Sequence, residues 1–326
     1  MSRGAHRVKR AGRVRAWWGR TPVRGKVMYV VGGVMLLVAL GLASYPAIMQ
    51  TITGNQQVAV SNQLEKTVAD WPYPKAEDEL AAARDYNKRL FESGQRELGS
   101  TVKDAMDASA AVGTDDPLAT EYEQRLAVDP GNAMGSVVIP KISVNIPILH
   151  GTSTEALNQG AGHTFGSSLP VGGPSTHAIL AAHRGMPDKL MFTRLDEMRV
   201  GDFFQIKVMG ETLSYQVTNI WTVTPDDFSH LKIKKGEDRV TLVTCTPYGI
   251  NTHRLLVSGI RYYGKHPDPA KQPDKAGTWE KLIPIIAAMA VPLLSLTASI
   301  LAWLIRKHKR NKRQLRELEA QAAAAR

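Results

Sequence analysis

The chain contains a single cysteine, Cys245, at the end of the segment RVTLVTC (239–245). Its β-branched and apolar residues predict a strand, and the sequence TPYG (246–249) predicts that this strand stops directly afterwards. A side chain at a strand end beside a loop is well placed for chemistry. Because a thiol with an ordinary pKa of about 8.5 is mostly protonated at neutral pH, it needs a neighbouring base or cation to act as a nucleophile.

Two kinds of side chain offer that help. Arg254 opens the next predicted strand, and if the two strands pair, its guanidinium would lie close to Cys245 and favour the thiolate. His183 ends the apolar segment AILAAH and shares the strand-end placement of Cys245, with His253 and His163 as rival bases. Each residue also has a plainer interpretation. Cys245 could be a small buried hydrophobe, Arg254 a member of a surface ion pair, and His183 a hydrogen-bonded structural histidine.

The net charge of +11 is concentrated at the two ends of the chain. Residues 1–26 carry nine Lys and Arg and no acid, residues 306–326 carry eight against two acids, and residues 50–281 carry 24 against 28. A nucleic-acid-binding domain would place its positive charge on the folded part. This distribution therefore argues against nucleic acid as a partner.

Each basic end adjoins a long uncharged segment, Val27–Met49 or Leu282–Ile305. About 20 apolar residues let a helix cross a bilayer, so both segments are predicted transmembrane helices. Basic flanks stay in the cytoplasm, which predicts a two-pass cell-membrane protein with cytoplasmic tails at 1–26 and 306–326 and an extracellular domain between. The first segment is too long for a signal-peptide core, so we expect it to be retained as an anchor.

The region between the two predicted helices divides at about residue 134. Residues 50–133 are polar with helical periodicity, as in the segment 76–94. Residues 134–263 contain short β-rich segments separated by turns, which predicts a closed barrel or a sandwich. Residues 264–281 are rich in Pro and Lys and are predicted to be a linker.

The segment TLVTC resembles the sortase signature Thr-Leu-x-Thr-Cys in every specified position. The resemblance extends over about residues 54–263 and is to class C sortases, which assemble pili. It implies a mainly β fold, the closed sortase β-barrel, with N-terminal helices and two flanking transmembrane helices. Five blocks in the same order carry it: 139–153, 160–173, 176–187, 192–202 and 241–259.

The resemblance implies that Cys245 is the nucleophile, His183 its acid–base partner and Arg254 the stabiliser of the oxyanion or substrate. Thr244 and Thr246 would lie in the substrate-binding neighbourhood. The substrate would be a pilin or surface protein with an L-P-x-T-G-like sorting signal, cleaved between Thr and Gly through a thioester. In class C enzymes a Lys amine of another pilin then accepts the acyl group. No metal or organic cofactor is implied.

Class C sortases usually carry a lid ahead of the barrel, in which Asp-Pro is followed by an aromatic residue. The matching place here reads Asp116-Pro117-Leu118, and leucine lacks an aromatic face. The aspartate would still pair with an active-site arginine, and Leu118 would cover the thiol by apolar contact. We therefore expect a weaker lid. The alternative is that Asp116 and Pro117 merely start a helix.

Other functions share this pattern. A housekeeping-type sortase would use the same residues to attach surface proteins to a cell-wall precursor, and a cysteine protease would differ only in using water to resolve the acyl-enzyme. A non-catalytic membrane scaffold would keep the barrel without any reaction at Cys245. The lid-like segment and the second apolar segment favour pilin polymerisation, and the retained Cys, His and Arg argue against a scaffold.

Overall fold

The part of the chain that the computed structural model describes comprises residues 22–95, 117–128, 133–264, 308 and 311. The chain divides into a unit that extends to Asp274 and a short C-terminal unit that begins at Lys275. The predicted linker (264–281) lies outside the described residues apart from its first position. The predicted second transmembrane helix (282–305) lies wholly outside them.

The first helix, α1 (Val23–Ala69), contains the predicted anchor segment and continues well beyond it. Its first half carries exposed apolar side chains such as Leu37, and it is long and apolar enough to cross a membrane. Its second half packs against the barrel through Leu64 and Val68. It is the one such candidate in the described part of the chain. The predicted boundary at residue 50 is therefore not a break in the helix.

Two shorter helices follow, α2 (Lys75–Glu92) and α3 (Pro117–Gln124). The buried face of α2 includes Asn87, whose side-chain amide donates to the carbonyl of Leu169 at 3.0 Å and accepts from its N–H at 2.7 Å. These two bonds hold α2 against the loop that contains Leu169, between residues 163 and 176. Proline suits the first turn of α3 because its missing N–H would have no helical partner there.

Eight strands dominate the rest of the described chain: β1 (Ala133–Ile139), β2 (Val144–His150), β3 (Ala161–His163), β4 (Thr176–Ala181), β5 (Phe203–Val208), β6 (Glu211–Val223), β7 (Asp238–Thr246) and β8 (His253–Arg261). A short helix, α4 (Thr154–Gln159), joins β2 to β3, and 3-10 turns lie at Pro140–Ile142 and Leu195–Glu197. The strands close into a barrel in the order β1-β2-β3-β4-β7-β8-β6-β5. The prediction of a mainly β closed barrel is confirmed.

The barrel closes where β1 pairs antiparallel with β5. Gly135 lies at this seam, and a Cβ atom there would collide with the backbone carbonyl of Lys207. Glycine is needed because the two backbones approach so closely. Inside the barrel, Leu180, Leu242 and Val257 form one row across β4, β7 and β8 and belong to the main core.

A buried polar cluster fastens α3 to the barrel. The hydroxyl of Tyr122 accepts from the N–H of Gly151 at 2.9 Å, donates to the carbonyl of His163 at 2.9 Å, and lies 3.0 Å from Nδ1 of that histidine. Nε2 of His163 donates to the carbonyl of Ser168 at 2.8 Å. Burial lowers the pKa of His163 to about 4, so the ring is neutral at neutral pH.

We expect Tyr122→Phe to lower the free energy of unfolding by about 1–2 kcal/mol, because the amide of Gly151 would lose its partner. Urea unfolding of the full chain in detergent micelles, followed by tryptophan fluorescence, measures the change. Tyr263→Phe is the matched control because Tyr263 is exposed. Equal effects of the two substitutions would contradict a structural role for the Tyr122 hydroxyl.

We also expect acid to destabilise the barrel through two histidines. Burial lowers the pKa values of His163 and His177 from 6.5 to about 4. Below pH 6.5 the unfolded chain binds protons that the folded chain does not, so the free energy of unfolding should fall between about pH 6.5 and 4. Urea unfolding at about pH 7.5, 6.0 and 5.0 would measure this fall.

His163→Gln should make the fall smaller because glutamine does not titrate, whereas the same substitution at the exposed His253 should leave the fall unchanged. A His163→Gln variant with the full wild-type pH dependence would show that proton binding at this ring does not contribute.

Candidate active site

The residues predicted to carry the chemistry lie at or just beyond the ends of three adjacent strands. Cys245 on β7 and Arg254 on β8 are direct cross-strand partners. β4 pairs in parallel with β7, and Ala181 lies opposite Val243. β4 ends at Ala181, and extending its register by two residues past that end predicts that His183 lies beside Cys245. The barrel topology thus juxtaposes a thiol, an imidazole and a guanidinium.

The thiol of Cys245 is free and half-buried, and the neighbouring Arg254 is buried. Nη1 of Arg254 donates to the carbonyls of Asn251 at 3.1 Å and of His253 at 3.2 Å. These bonds tether the guanidinium to the loop that joins β7 to β8. A fixed positive charge beside a thiol favours the thiolate and can donate to an oxyanion.

His183 is half-buried two residues beyond the end of β4. Burial lowers its pKa below 6.5, and the positive charge of Lys189 lowers it further. The imidazole is therefore neutral at neutral pH and available to accept a proton from a thiol.

The rival histidines are placed differently. His163 lies in the buried cluster with Tyr122, where both of its ring nitrogens have partners. His253 is exposed, pairs across the strands with Thr246, and has Nδ1 2.9 Å from the hydroxyl of Thr252. The geometry therefore favours His183 as the base.

The face of the sheet that carries Cys245 has its own small apolar cluster, separate from the main core. Residues from the long connection between β6 and β7 complete this cluster over the sheet. Beside it the ring of His230, in the same connection, stacks on Trp221 at 4.3 Å between centroids. An apolar floor next to the thiol suits the side chains of an extended peptide. The buried members are Ile179, Val223, Leu231, Val243 and Leu256.

Sequence reasoning did not single out His177, which forms hydrogen bonds further along the sheet face that carries Cys245. Its Nε2 lies 2.7 Å from the hydroxyl of Thr241, and that hydroxyl lies 2.9 Å from the hydroxyl of Ser258. Its Nδ1 lies 3.2 Å from the carbonyl of Lys232 in the β6–β7 connection. Arg239 donates to Ser258 at 2.8 Å. The sequence did contain a signal for this role: side chains alternate between faces along a strand, so His177 and His183, an even number of residues apart, are expected on the same face.

The two threonines expected near the substrate form hydrogen bonds at the ends of the strands. Thr244 is buried on the face opposite Cys245, and its hydroxyl donates to the carbonyl of Ala182 at 2.8 Å, which joins β7 to the chain after β4. The hydroxyl of Thr246 accepts from Arg184 at 2.9 Å, and Arg184 also pairs with Asp196 at 2.7 Å. Both threonines thereby support the position of the loop that bears His183.

Asp116 of the predicted lid lies outside the described residues, and Pro117 and Leu118 are the first two residues of α3. Because Asp116 is not described, both the lid and the alternative that Asp116 and Pro117 start a helix stay predictions. Among the described residues no group of three or more His, Cys, Asp or Glu side chains is arranged to hold a metal ion.

Comparison with known proteins agrees with this site. Residues 137–261 match the family model of the sortase domain. Sortase D of Bacillus subtilis is 28% identical over 136 residues, which are 41% of this chain and 66% of that protein. Sortase A of Streptococcus agalactiae is 29% identical over 127 residues, 38% of this chain and 51% of that protein. The matches thus span about half to two thirds of these relatives.

Solved structures match over more of the chain. Sortase C1 of Streptococcus agalactiae is 40% identical, with a TM-score of 0.56 over 63% of this chain and 99% of that one. Sortase C of Streptococcus pneumoniae, whose structure was related to pilin substrate specificity, is 36% identical, with a TM-score of 0.54 over 64% of this chain and 100% of that one. From this similarity, the family model and the barrel, we conclude that the chain belongs to the sortase family of cysteine transpeptidases.

Proposed function

We propose that the chain is a membrane-anchored transpeptidase that cleaves an LPxTG-like sorting signal between Thr and Gly and transfers the acyl group to a Lys amine of another pilin. The observation that carries the proposal is the direct cross-strand pairing of Cys245 with Arg254, beside the strand β4 that His183 follows by two residues. A nucleophile, a neutral base and a fixed cation are the groups that acyl transfer through a thioester needs.

In the first half-reaction Cys245 attacks the carbonyl carbon of the signal's threonine, and the neutral imidazole of His183 takes the thiol proton. Arg254 stabilises the negative charge that develops on the carbonyl oxygen. The imidazolium of His183 then gives its proton to the departing glycine amine as the C–N bond breaks. The product is a thioester on Cys245, and the base is neutral again.

In the second half-reaction an amine attacks the thioester, His183 removes a proton from it, and the Cys245 thiol is restored with that proton. A pilin lysine is the proposed acceptor, because the solved structures cited above are sortases C and one of them is described by its pilin substrate. The alternative acceptor is the amine of a cell-wall precursor, which the same three residues would serve. A non-catalytic scaffold would form no thioester at all.

The anchor is the apolar first half of α1, which leaves its side chains exposed along the segment that would meet lipid. The two-pass topology, with both termini in the cytoplasm and the barrel outside, remains a proposal from the sequence because residues 282–305 lie outside the described part of the chain.

We expect intact-mass spectrometry of the full chain in detergent micelles, incubated with an LPxTG peptide, to show a thioester adduct that is absent in Cys245→Ala. His183→Ala should slow acylation about 10²–10⁴-fold through loss of the acid–base group. Arg254→Ala should slow it about 10²–10³-fold through loss of oxyanion stabilisation. Adding a pilin fragment with its lysine should move the acyl group onto that lysine.

The matched controls are His253→Ala and Arg199→Ala, at exposed positions, which should acylate like the wild type. An adduct without transfer to the pilin would favour the cell-wall acceptor. An adduct that persists in Cys245→Ala, or is formed by none of the proteins, would contradict the proposed mechanism.

The lid is tested by thiol labelling. If Asp116 helps to cover Cys245, Asp116→Ala should speed modification of the thiol by a maleimide several-fold, since a cover that opens more often exposes the sulfur for longer. Asp115→Ala is the matched control because it removes the same charge one position earlier. Equal labelling rates in all three proteins would contradict the lid.

A further inference from the structure

The orientation of the barrel relative to the proposed membrane anchor follows from α1, which belongs to both. The predicted apolar segment of α1 ends at Met49, and the helix continues unbroken to Ala69. Within that continuation Ser61 is fully buried and Leu64 packs into the barrel core. Because one unbroken helix joins the two parts, the direction of the anchor determines which end of the barrel lies nearest the bilayer.

Side-chain contacts along α1 identify that end. Gln50, the first residue after the predicted apolar segment, donates to the carbonyl of Pro187 at 3.4 Å. Pro187 lies in the loop that follows His183. About four turns further along α1, Glu65 pairs with Lys207 at 2.9 Å, near the hairpin between β5 and β6. The helix therefore meets the catalytic end of the barrel first and leaves the membrane toward the opposite end.

The loop between β7 and β8 carries an exposed apolar tip at this catalytic end. Tyr248 is 59% exposed and Ile250 is 66% exposed, and residues 246–252 include no charged side chain. The ring of Tyr248 lies against Gly185, where an added Cβ would be 3.2 Å from it. Gly185 is two residues from Pro187, within about 7 Å along the chain. The tip is thus near the level at which α1 would leave the bilayer.

We propose that the tip formed by Tyr248 and Ile250 rests in the headgroup region of the lipid bilayer. This interaction surface rests on the proposed membrane anchoring and adds a second, peripheral contact to it. Tyrosine suits this region because its ring is apolar and its hydroxyl is polar, and an uncharged loop loses no charge hydration on contact. Cys245, three residues before Tyr248, then opens beside the bilayer, and the enzyme acts on peptide segments held at the membrane surface.

The test uses environment-sensitive NBD labels on single cysteines. Because Cys245 is the one cysteine of the chain, Cys245→Ala provides a cysteine-free background. Ile250→Cys reports on the tip, Leu37→Cys on the anchor, and Tyr73→Cys on the far end of α1. Tyr73 is 85% exposed and follows the end of a helix that extends about 30 Å beyond Met49.

Each labelled full-length protein is reconstituted into phosphatidylcholine–phosphatidylglycerol vesicles, with and without lipids that carry a nitroxide on the headgroup or on the acyl chain. The label at position 250 should be quenched about twofold or more by the headgroup nitroxide, as expected for an interfacial contact. The label at position 37 should be quenched by the acyl-chain nitroxide, and the label at position 73 by neither.

Quenching at position 37 with none at position 250 would overturn the tip contact and leave the anchor standing. No quenching at position 37 would overturn the anchor and the tip contact together. If position 250 is not quenched by lipid but changes its emission when a soluble LPxTG peptide is added, the tip belongs to the peptide-binding surface and the proposal is wrong.

Discussion

The register of β7 between its two neighbours is the constraint on which the site depends. β7 pairs in parallel with β4 on one side and antiparallel with β8 on the other; this arrangement places Cys245 opposite Arg254 and, extended past the end of β4, leads to His183. A slip of one residue would turn the thiol toward the barrel core, since side chains alternate between faces. The hydroxyl of Thr244 bonds the carbonyl of Ala182 and so reinforces the register at the strand ends.

The polar groups buried behind the site complement this backbone arrangement. The cluster of Tyr122 and His163 joins α3 to the barrel, and the chain of hydrogen bonds from His177 through Thr241 joins the β6–β7 connection to β7. Each group is deeply buried and has a hydrogen-bond partner, which avoids the cost of an unsatisfied polar atom. The same burial keeps both imidazoles neutral, whereas His183 is only half-buried and remains accessible to substrate.

Because α1 is one continuous helix, it ties the position of the active site to the position of the proposed membrane anchor. A flexible linker between anchor and enzyme would let the site sample many distances from the membrane, but here the helix enters the barrel core within four turns of the apolar segment. The hydrogen bond from Gln50 to the loop after His183 places the catalytic end at the start of that path. Under the proposed anchoring, this path would keep the site near the lipid surface rather than at variable distances from it.

Local patterns in the sequence determined where several strands end and which fold class to expect. Alternation and turn residues located the strand ends at Cys245 and Arg254, whereas the proximity of these two residues depended on the condition that β7 pairs with β8. The barrel itself was expected from the strand pattern and the sortase resemblance. The choice of His183 over His163 and His253 could not be made from position alone, because it depends on the parallel pairing of β4 with β7.

Only the tertiary structure decided that α1 continues past residue 50, that the hydroxyl of Thr244 bonds the carbonyl of Ala182, and that His177 joins a loop to the sheet. The physical reason is the range of the interactions. Hydrophobic periodicity and turn propensity act over a few neighbouring residues and are therefore written in the local sequence. Parallel strand pairing and buried hydrogen-bond networks join distant segments, and they exist only once the whole barrel has closed.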